Sequence, residues 1–339
     1  MNNKKIKNNS ADILLSVSML TYNKPQEVKR VLKELLLQME PGAEIVINDN
    51  STDDRIKSMI EKEFQSSYIR YFKNEQNVGF DKNILLSVER AKGRYVWWMG
   101  HDDNVEKGVI KKLLEILNEH PDISFIFINF YIADQGPENP ILKIGEDKFF
   151  NDNNQVLEEI ANVLGFMSAI VVKKENAVNA DNKNVLPFVG SGFMHFYLAL
   201  HVLSQVGKFY FLSYPYVRCY PTPPEKAPND EFLTFAVNFF KIAENFKKSF
   251  SKNSLKKIMA KNFGHIWRGV LVENVKGRGV PMKRLKVLFK LYWNFPEFWV
   301  ALPFFLMPRF INLFFYKLYK KITESNKYLK QRVSKVPWF

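Results

Sequence analysis

The stretch GRYVWWMGHDD (93–103) decides how this chain is read. Residues 95–99 are apolar at every position, so a strand there is covered on both faces. The run stops at Gly100 and the chain turns polar, with Asp102 and Asp103 side by side. Upstream, ILLSVSML (13–20) is a second apolar run, and it leads into Thr21-Tyr22-Asn23. Pro25 then stands where the first turn of a helix accepts proline. Residues 26–39 carry Val28, Val31, Leu32, Leu35, Leu36 and Met39 at helical spacing, closed by Pro41-Gly42. A strand over 44–47, a polar loop over 48–53, a helix over 54–64 and a strand over 69–72 follow, then a helix over 81–91. Beyond the acidic pair come a helix over 106–118 and a strand over 123–130. Alternating strands and helices predict an α/β fold, a mostly parallel sheet flanked by helices. Ligands of such sheets bind at the carboxyl ends of strands, where the clusters 21–23, 48–53 and 101–103 all fall.

The rest of the chain divides unevenly. Residues 134–155 read as a polar insertion, 156–172 as helix and strand, 185–205 as a glycine-containing turn with an apolar helix bearing His195 and His201, and 209–212 as a late strand. The four prolines of PTPPEKAPND (221–230) mark a boundary. We therefore expect a catalytic domain over 1–220, with halves 12–105 and 106–220, and a helical region over 221–339. Of the 339 residues, the last 99 hold 22 Lys+Arg against 4 Asp+Glu, a net +18, whereas residues 1–240 sum to −4. One cysteine, Cys219, excludes an intrachain disulfide and a cysteine-based zinc site. The opening MNNKKIKNNS has no apolar h-region, so no secretory signal is expected.

Each polar cluster has a chemical reading beside a plainer one. Asp102 and Asp103 are hard oxygen ligands able to share one divalent cation with substrate phosphates, or else caps of the helix expected from about 106. Asp49 can accept the imide N–H of a pyrimidine base, or close an Asx-turn. Thr21, Tyr22 and Asn23 can line the same pocket, or be a simple turn. Asp81, Lys82 and Asn83 open a helix whose free N–H groups and lysine suit a phosphate, although Asp81 alone suits a cap.

Taken in order, SVSMLTYN (16–23), EIVINDNSTD (44–53), NEQNVGFDKN (74–83) and GRYVWWMGHDD (93–103) resemble the family 2 glycosyltransferases of the GT-A fold, over about residues 12–220. The likeness is to the bacterial abequosyltransferase and rhamnosyltransferase type that builds surface polysaccharide such as O-antigen. The resemblance implies sugar transfer, by inversion, from a nucleotide-diphosphate sugar to a lipid-linked (polyprenyl diphosphate) glycan. It also implies that Asp49, Thr21 and Asn23 lie near the base, that Asp102 lies near the ribose and sugar, and that Asp103 binds Mg²⁺ or Mn²⁺. Asn48 and His101 stand where the family often has further aspartates. The family's Glu-Asp base has no counterpart after residue 180, and GSGFMHFYL (190–198) offers His195 instead, a competent general base or a buried helix histidine.

Residues 298–316 (FWVALPFFLMPRFINLFFY) approach the length of a membrane span, but Pro303, Pro308 and Arg309 interrupt them. Lys283, Arg284, Lys286 and Lys290 precede this run and Lys317, Lys320 and Lys321 follow it. That pattern predicts a segment lying in the interface of an anionic membrane, on the cytoplasmic face of the inner membrane. The alternative is a helix pair packed on the catalytic domain. A nucleic-acid- or lipid-binding protein with an inert body is a competing class, but the basic residues fall between apolar runs and the body is slightly acidic, which argues against nucleic acid. A nucleotidyltransferase would need a Gly-rich basic loop where Thr21–Pro25 stand.

Overall fold

A computed structural model describes residues 13–150, 152–180, 182–220, 232–275 and 282–325. The first half is a parallel sheet built as the apolar runs predict. Strand β1 (Leu15–Thr21) lies between β2 (Ala43–Asp49) and β4 (Tyr95–Gly100), and β3 (Ile69–Lys73) flanks β2. Every residue of β1, β2 and β4 is buried. Helices α1 (Pro25–Leu36), α2 (Arg55–Glu63) and α3 (Phe80–Arg90) are the crossovers. Pro25 starts α1, and Val28, Val31, Leu32 and Leu35 form its buried stripe. Register sets Thr21 opposite Asp49 and Leu20 opposite Gly100. Adjacent strands lie about 4.8 Å apart, so the ends of β2 and β4 stand about 10 Å apart across β1.

The second half is mixed. A two-residue strand β5 (Asn104–Val105) precedes α4 (Val109–Glu119), β6 (Ile123–Ile132), β7 (Lys148–Phe150) and α5 (Asn153–Ile160). Strand β8 (Ile170–Lys173) enters antiparallel between β4 and β6, then come α6 (Lys174–Val178), α7 (Asn182–Val185), α8 (Met194–Leu203) and β9 (Lys208–Cys219). The order is β3-β2-β1-β4-β8-β6-β9-β5, with β7 also on β9. Strands β6 and β9 are parallel to each other, whereas β5 and β7 run antiparallel to β9. Two expectations are corrected here. The helix expected from 106 starts at Val109, after Gly108 at φ 86°, so neither Asp102 nor Asp103 caps it. Gly79, at φ 84°, precedes α3, so Asp81 is not that helix's cap.

After a π-helical turn (Phe232–Asn238), α9 (Phe239–Asn245) and α10 (Lys252–Val275) pack back on the α/β body. Phe239 stacks on Phe196 of α8 at 4.5 Å, and Lys257 pairs with Glu158 of α5 at 2.6 Å. Then come α11 (Met282–Tyr292), α12 (Pro296–Leu306) and α13 (Arg309–Ser325). The apolar run 298–316 is thus two helices, bent by 117° at the break. No single helix among the described residues is long and apolar enough to cross a membrane. The proline-rich boundary, residues 221–230, lies outside the described residues.

Candidate active site

The site begins with the strand end at Gly100. A Cβ added there would stand 2.9 Å from Asp102 Oδ1 and 3.0 Å from Asp103 Oδ2, so two carboxylates converge where only glycine leaves room. Ser168, just before β8, closes the loop from behind. Its hydroxyl accepts from Gly100 N–H at 2.9 Å and donates to Asp103 Oδ2 at 2.6 Å. Buried Trp97 holds Ser168 in turn, donating from Nε1 to its carbonyl at 2.8 Å. The Tyr220 amide, just past β9, donates to Asp103 Oδ1 at 3.3 Å.

Asp103 is 5% exposed, and its hydrogen-bond donors are neutral. Burial first, and then the neighbouring Asp102 charge, push its carboxyl well above the usual range. A divalent cation would cancel this excess of negative charge, so the residues fit one. Among the described residues no three His, Cys, Asp or Glu side chains gather to cage an ion. The protein would therefore supply two carboxylates and leave the remaining positions to water and ligand phosphates, the usual arrangement for Mg²⁺.

Helix α1 holds this loop with a polar stripe that sequence reasoning missed. Arg30 donates to the Asp102 carbonyl, Glu34 accepts from Val105 N–H at 3.4 Å, and Gln38, just past the helix end, accepts from Gly108 N–H at 3.1 Å. The guanidinium of Arg30 also lies over the Tyr220 ring, 4.5 Å from its centre. Spacing i, i+4, i+8 was the available signal. Ser168 offered none, because a sheet partner 65 positions from Asp103 leaves no local trace.

At the end of β2, Asp49 is fully buried and both its oxygens are engaged. Oδ1 accepts from Ser51 N–H at 2.8 Å and Oδ2 from the Tyr71 hydroxyl at 2.6 Å. The geometry is the Asx-turn, and it does not bring Asp49 to the surface for a base to reach. Asn23, at φ 53°, ties the two loops together: its amide donates to Ser51 Oγ at 2.8 Å and its Oδ1 accepts from Thr52 N–H at 3.1 Å. Tyr22 is exposed, whereas the buried Thr21 hydroxyl has no partner among the described residues. His101, half-buried, faces the Leu20 carbonyl through Nδ1 at 3.2 Å.

The α3 cluster is split. Lys82 is exposed, but Asn83 is buried and donates to the Asn48 carbonyl at 3.0 Å. Asp81 accepts from the amides of Gly190 at 2.7 Å, Gly192 at 2.9 Å and Met194 at 3.0 Å. It therefore anchors the start of α8 rather than facing a ligand.

That anchoring corrects the expectation for His195. The Gly190–Gly192 turn wraps Asp81 instead of opening the helix start, and His195 is 3% exposed. Its Nε2 donates to the Gly165 carbonyl at 2.8 Å, its buried Nδ1 has no partner among the described residues, and the Phe80 and Phe193 rings pack edge-on. Burial holds its pKa below the usual histidine value. A neutral imidazole closed off from solvent has no path to a substrate proton. Asp102, the other expected catalytic group, is half-buried in the loop that follows β4.

Known proteins agree with this architecture. Residues 16–176 match the family described as Glycosyl transferase family 2. The abequosyltransferase RfbV of Salmonella typhimurium is 27% identical over 281 residues, 72% of this chain and 78% of that protein. A GalNAc(5)-diNAcBac-PP-undecaprenol beta-1,3-glucosyltransferase of Campylobacter jejuni is 26% identical over 36% of this chain and 40% of its own. Among solved structures, S. aureus TarS 1–349 superposes with TM-score 0.60 at 16% identity, covering 86% of this chain and 81% of TarS. TarS in complex with UDP-GlcNAc gives the same score at 15% identity, over 84% of this chain and 80% of that one. At that identity the likeness speaks for the fold alone.

Proposed function

We propose that this chain, a glycosyltransferase whose residues 16–176 form a family 2 domain, moves a sugar from a nucleotide-diphosphate donor to a lipid-linked glycan in bacterial surface polysaccharide synthesis. The single observation that carries the donor reading is the convergence of Asp102 and Asp103 over Gly100. The names of the Salmonella and Campylobacter relatives support the polysaccharide and the lipid-linked acceptor. TarS, solved in complex with UDP-GlcNAc, shows that this fold can hold a nucleotide sugar.

In this reading the donor lies across the carboxyl ends of β2, β1 and β4, its base toward Tyr22 and Asn23 and its diphosphate at the acidic loop. Mg²⁺ or Mn²⁺ held by Asp103 and Asp102 would supply charge neutralisation for the departing diphosphate. The acceptor hydroxyl forms the new C–O bond at the anomeric carbon as the bond to the diphosphate oxygen breaks. One in-line displacement of this kind inverts the carbon. The hydroxyl proton leaves to water on the face opposite the diphosphate, because buried His195 cannot take it and Asp102 lies on the diphosphate side. Ser168 and the Tyr220 amide keep Asp103 pointed at the loop, and Arg30 fixes the loop's backbone.

The test is a transfer assay with radiolabelled nucleotide sugars and polyprenyl-diphosphate-linked glycans, with and without EDTA. Transfer from one donor, lost with EDTA and restored by Mn²⁺, is the expected result. Donor-independent labelling, or full activity in EDTA, contradicts the reading.

A further inference from the structure

Among the described residues, 17 large apolar side chains are exposed, and ten of them fall within α11–α13 and the turns between them. The rest are scattered singly, which is ordinary for a protein surface. Helix α12 is apolar on every side. Phe298, Ala301 and Phe305 face the core, while Trp299, Val300 and Leu306 face outward. A helix apolar all round needs an apolar environment on both sides, and the protein supplies only one. Across the elbow, Phe310 (72% exposed) and Phe314 (63%) are exposed at i, i+4 along α13. Asn312 fixes that elbow, donating to the Phe304 carbonyl at 2.9 Å and the Met307 carbonyl at 3.2 Å.

Charge selects the occupant. Residues 282–325 hold eight Lys+Arg and two Asp+Glu. Lys283, Lys286 and Lys290 are exposed along one stripe of α11. A second copy of the chain would set this positive surface against itself, whereas an anionic bilayer complements it. Length selects the mode. The 11 residues of α12 rise about 16 Å, half of a roughly 30 Å hydrocarbon core, before the 117° bend. Trp299 sits beside Phe289 and donates from Nε1 to the Trp293 carbonyl at 2.6 Å, the mixed apolar and polar habit of interfacial tryptophans.

We propose that the outer face of α11–α13 docks on an anionic bilayer surface, inserting Trp299, Val300, Phe310 and Phe314 to interfacial depth without crossing. This deepens the reading of a lipid-linked acceptor, whose reactive end would then lie within reach of the bound enzyme. Its test needs no donor or acceptor, so its failure is separable from failure of the transferase reading.

The full chain is sedimented with phosphatidylcholine vesicles, alone or mixed with phosphatidylglycerol. The wild type should bind the mixed vesicles, less so as salt rises. The W299S/V300S/F310S/F314S variant should partition at least about tenfold less. K283Q/K286Q/K290Q should lose the preference for anionic vesicles. Both variants leave the buried residues in place, and their circular dichroism should match the wild type. Wild-type protein left in the supernatant, or undiminished binding by the four-serine variant, overturns the proposal. A wild-type dimer in sedimentation velocity that the four-serine variant makes monomeric also overturns it, in favour of a second copy.

Discussion

The two ends of the parallel sheet treat buried carboxylates in opposite ways. At the amino end, Glu44 is 3% exposed and fully answered: Oε1 accepts from Ser16 Oγ and Lys92 N–H, both at 2.6 Å, and Oε2 from Arg70 at 3.0 Å. At the carboxyl end, Asp103 is about as buried, but it has neutral donors and a second carboxylate beside it. The first arrangement is finished and serves stability. The second sets two carboxylates side by side in a buried loop, where a bound cation would relieve their repulsion. Asp49 lies between them, at the ligand end but satisfied by Ser51 and Tyr71.

The comparison breaks most sharply under substitution. Asp103→Ala should lower kcat/KM for transfer about a thousandfold while the protein still folds, read by steady-state kinetics beside circular dichroism. A loss under tenfold would place Asp103 with Glu44 as structural. Glu44→Ala should do the reverse. It removes the acceptor shared by Ser16, Lys92 and Arg70 and should cost about 3 kcal/mol in urea unfolding, with turnover per folded molecule nearly unchanged. Tyr71→Phe removes a donor to buried Asp49 and should cost about 1 kcal/mol.

A smaller effect of opposite sign sharpens the contrast. The folded state raises the Asp103 pKa, so between the unfolded carboxylate value, about 4, and the raised folded value the folded state binds more protons. Stability of the metal-free protein therefore falls as pH rises through that window. Asp103→Asn should remove the slope and stabilise the metal-free protein by about 1 kcal/mol at neutral pH, measured as urea midpoints across pH. A destabilised Asn variant would mean that the charge is already balanced.

The sequence showed the first half well because local signals agree there. Continuous apolar runs mark β1, β2 and β4, Pro25 marks the start of α1, and the polar clusters mark the strand ends. What it hid was long-range. The resemblance placed His195 where the family keeps its base, but the Gly-Ser-Gly turn is spent on Asp81, 109 to 113 positions away. The antiparallel insertion of β8 delivers Ser168 behind Asp103, and a pairing between distant segments has no periodicity to read. In the last third, composition foretold an apolar, basic surface. The break at Met307-Pro308, which turns one long run into a bent pair, follows from Pro308 lacking an amide to continue α12.

The most direct test of the acidic pair is a thermal-shift titration of nucleoside diphosphates into wild-type and Asp103→Asn protein, each with and without Mn²⁺. The account predicts a large rise in melting temperature for one diphosphate with Mn²⁺ in the wild type, little rise without the ion, and none in the variant. An equal, metal-independent rise in both proteins would contradict it.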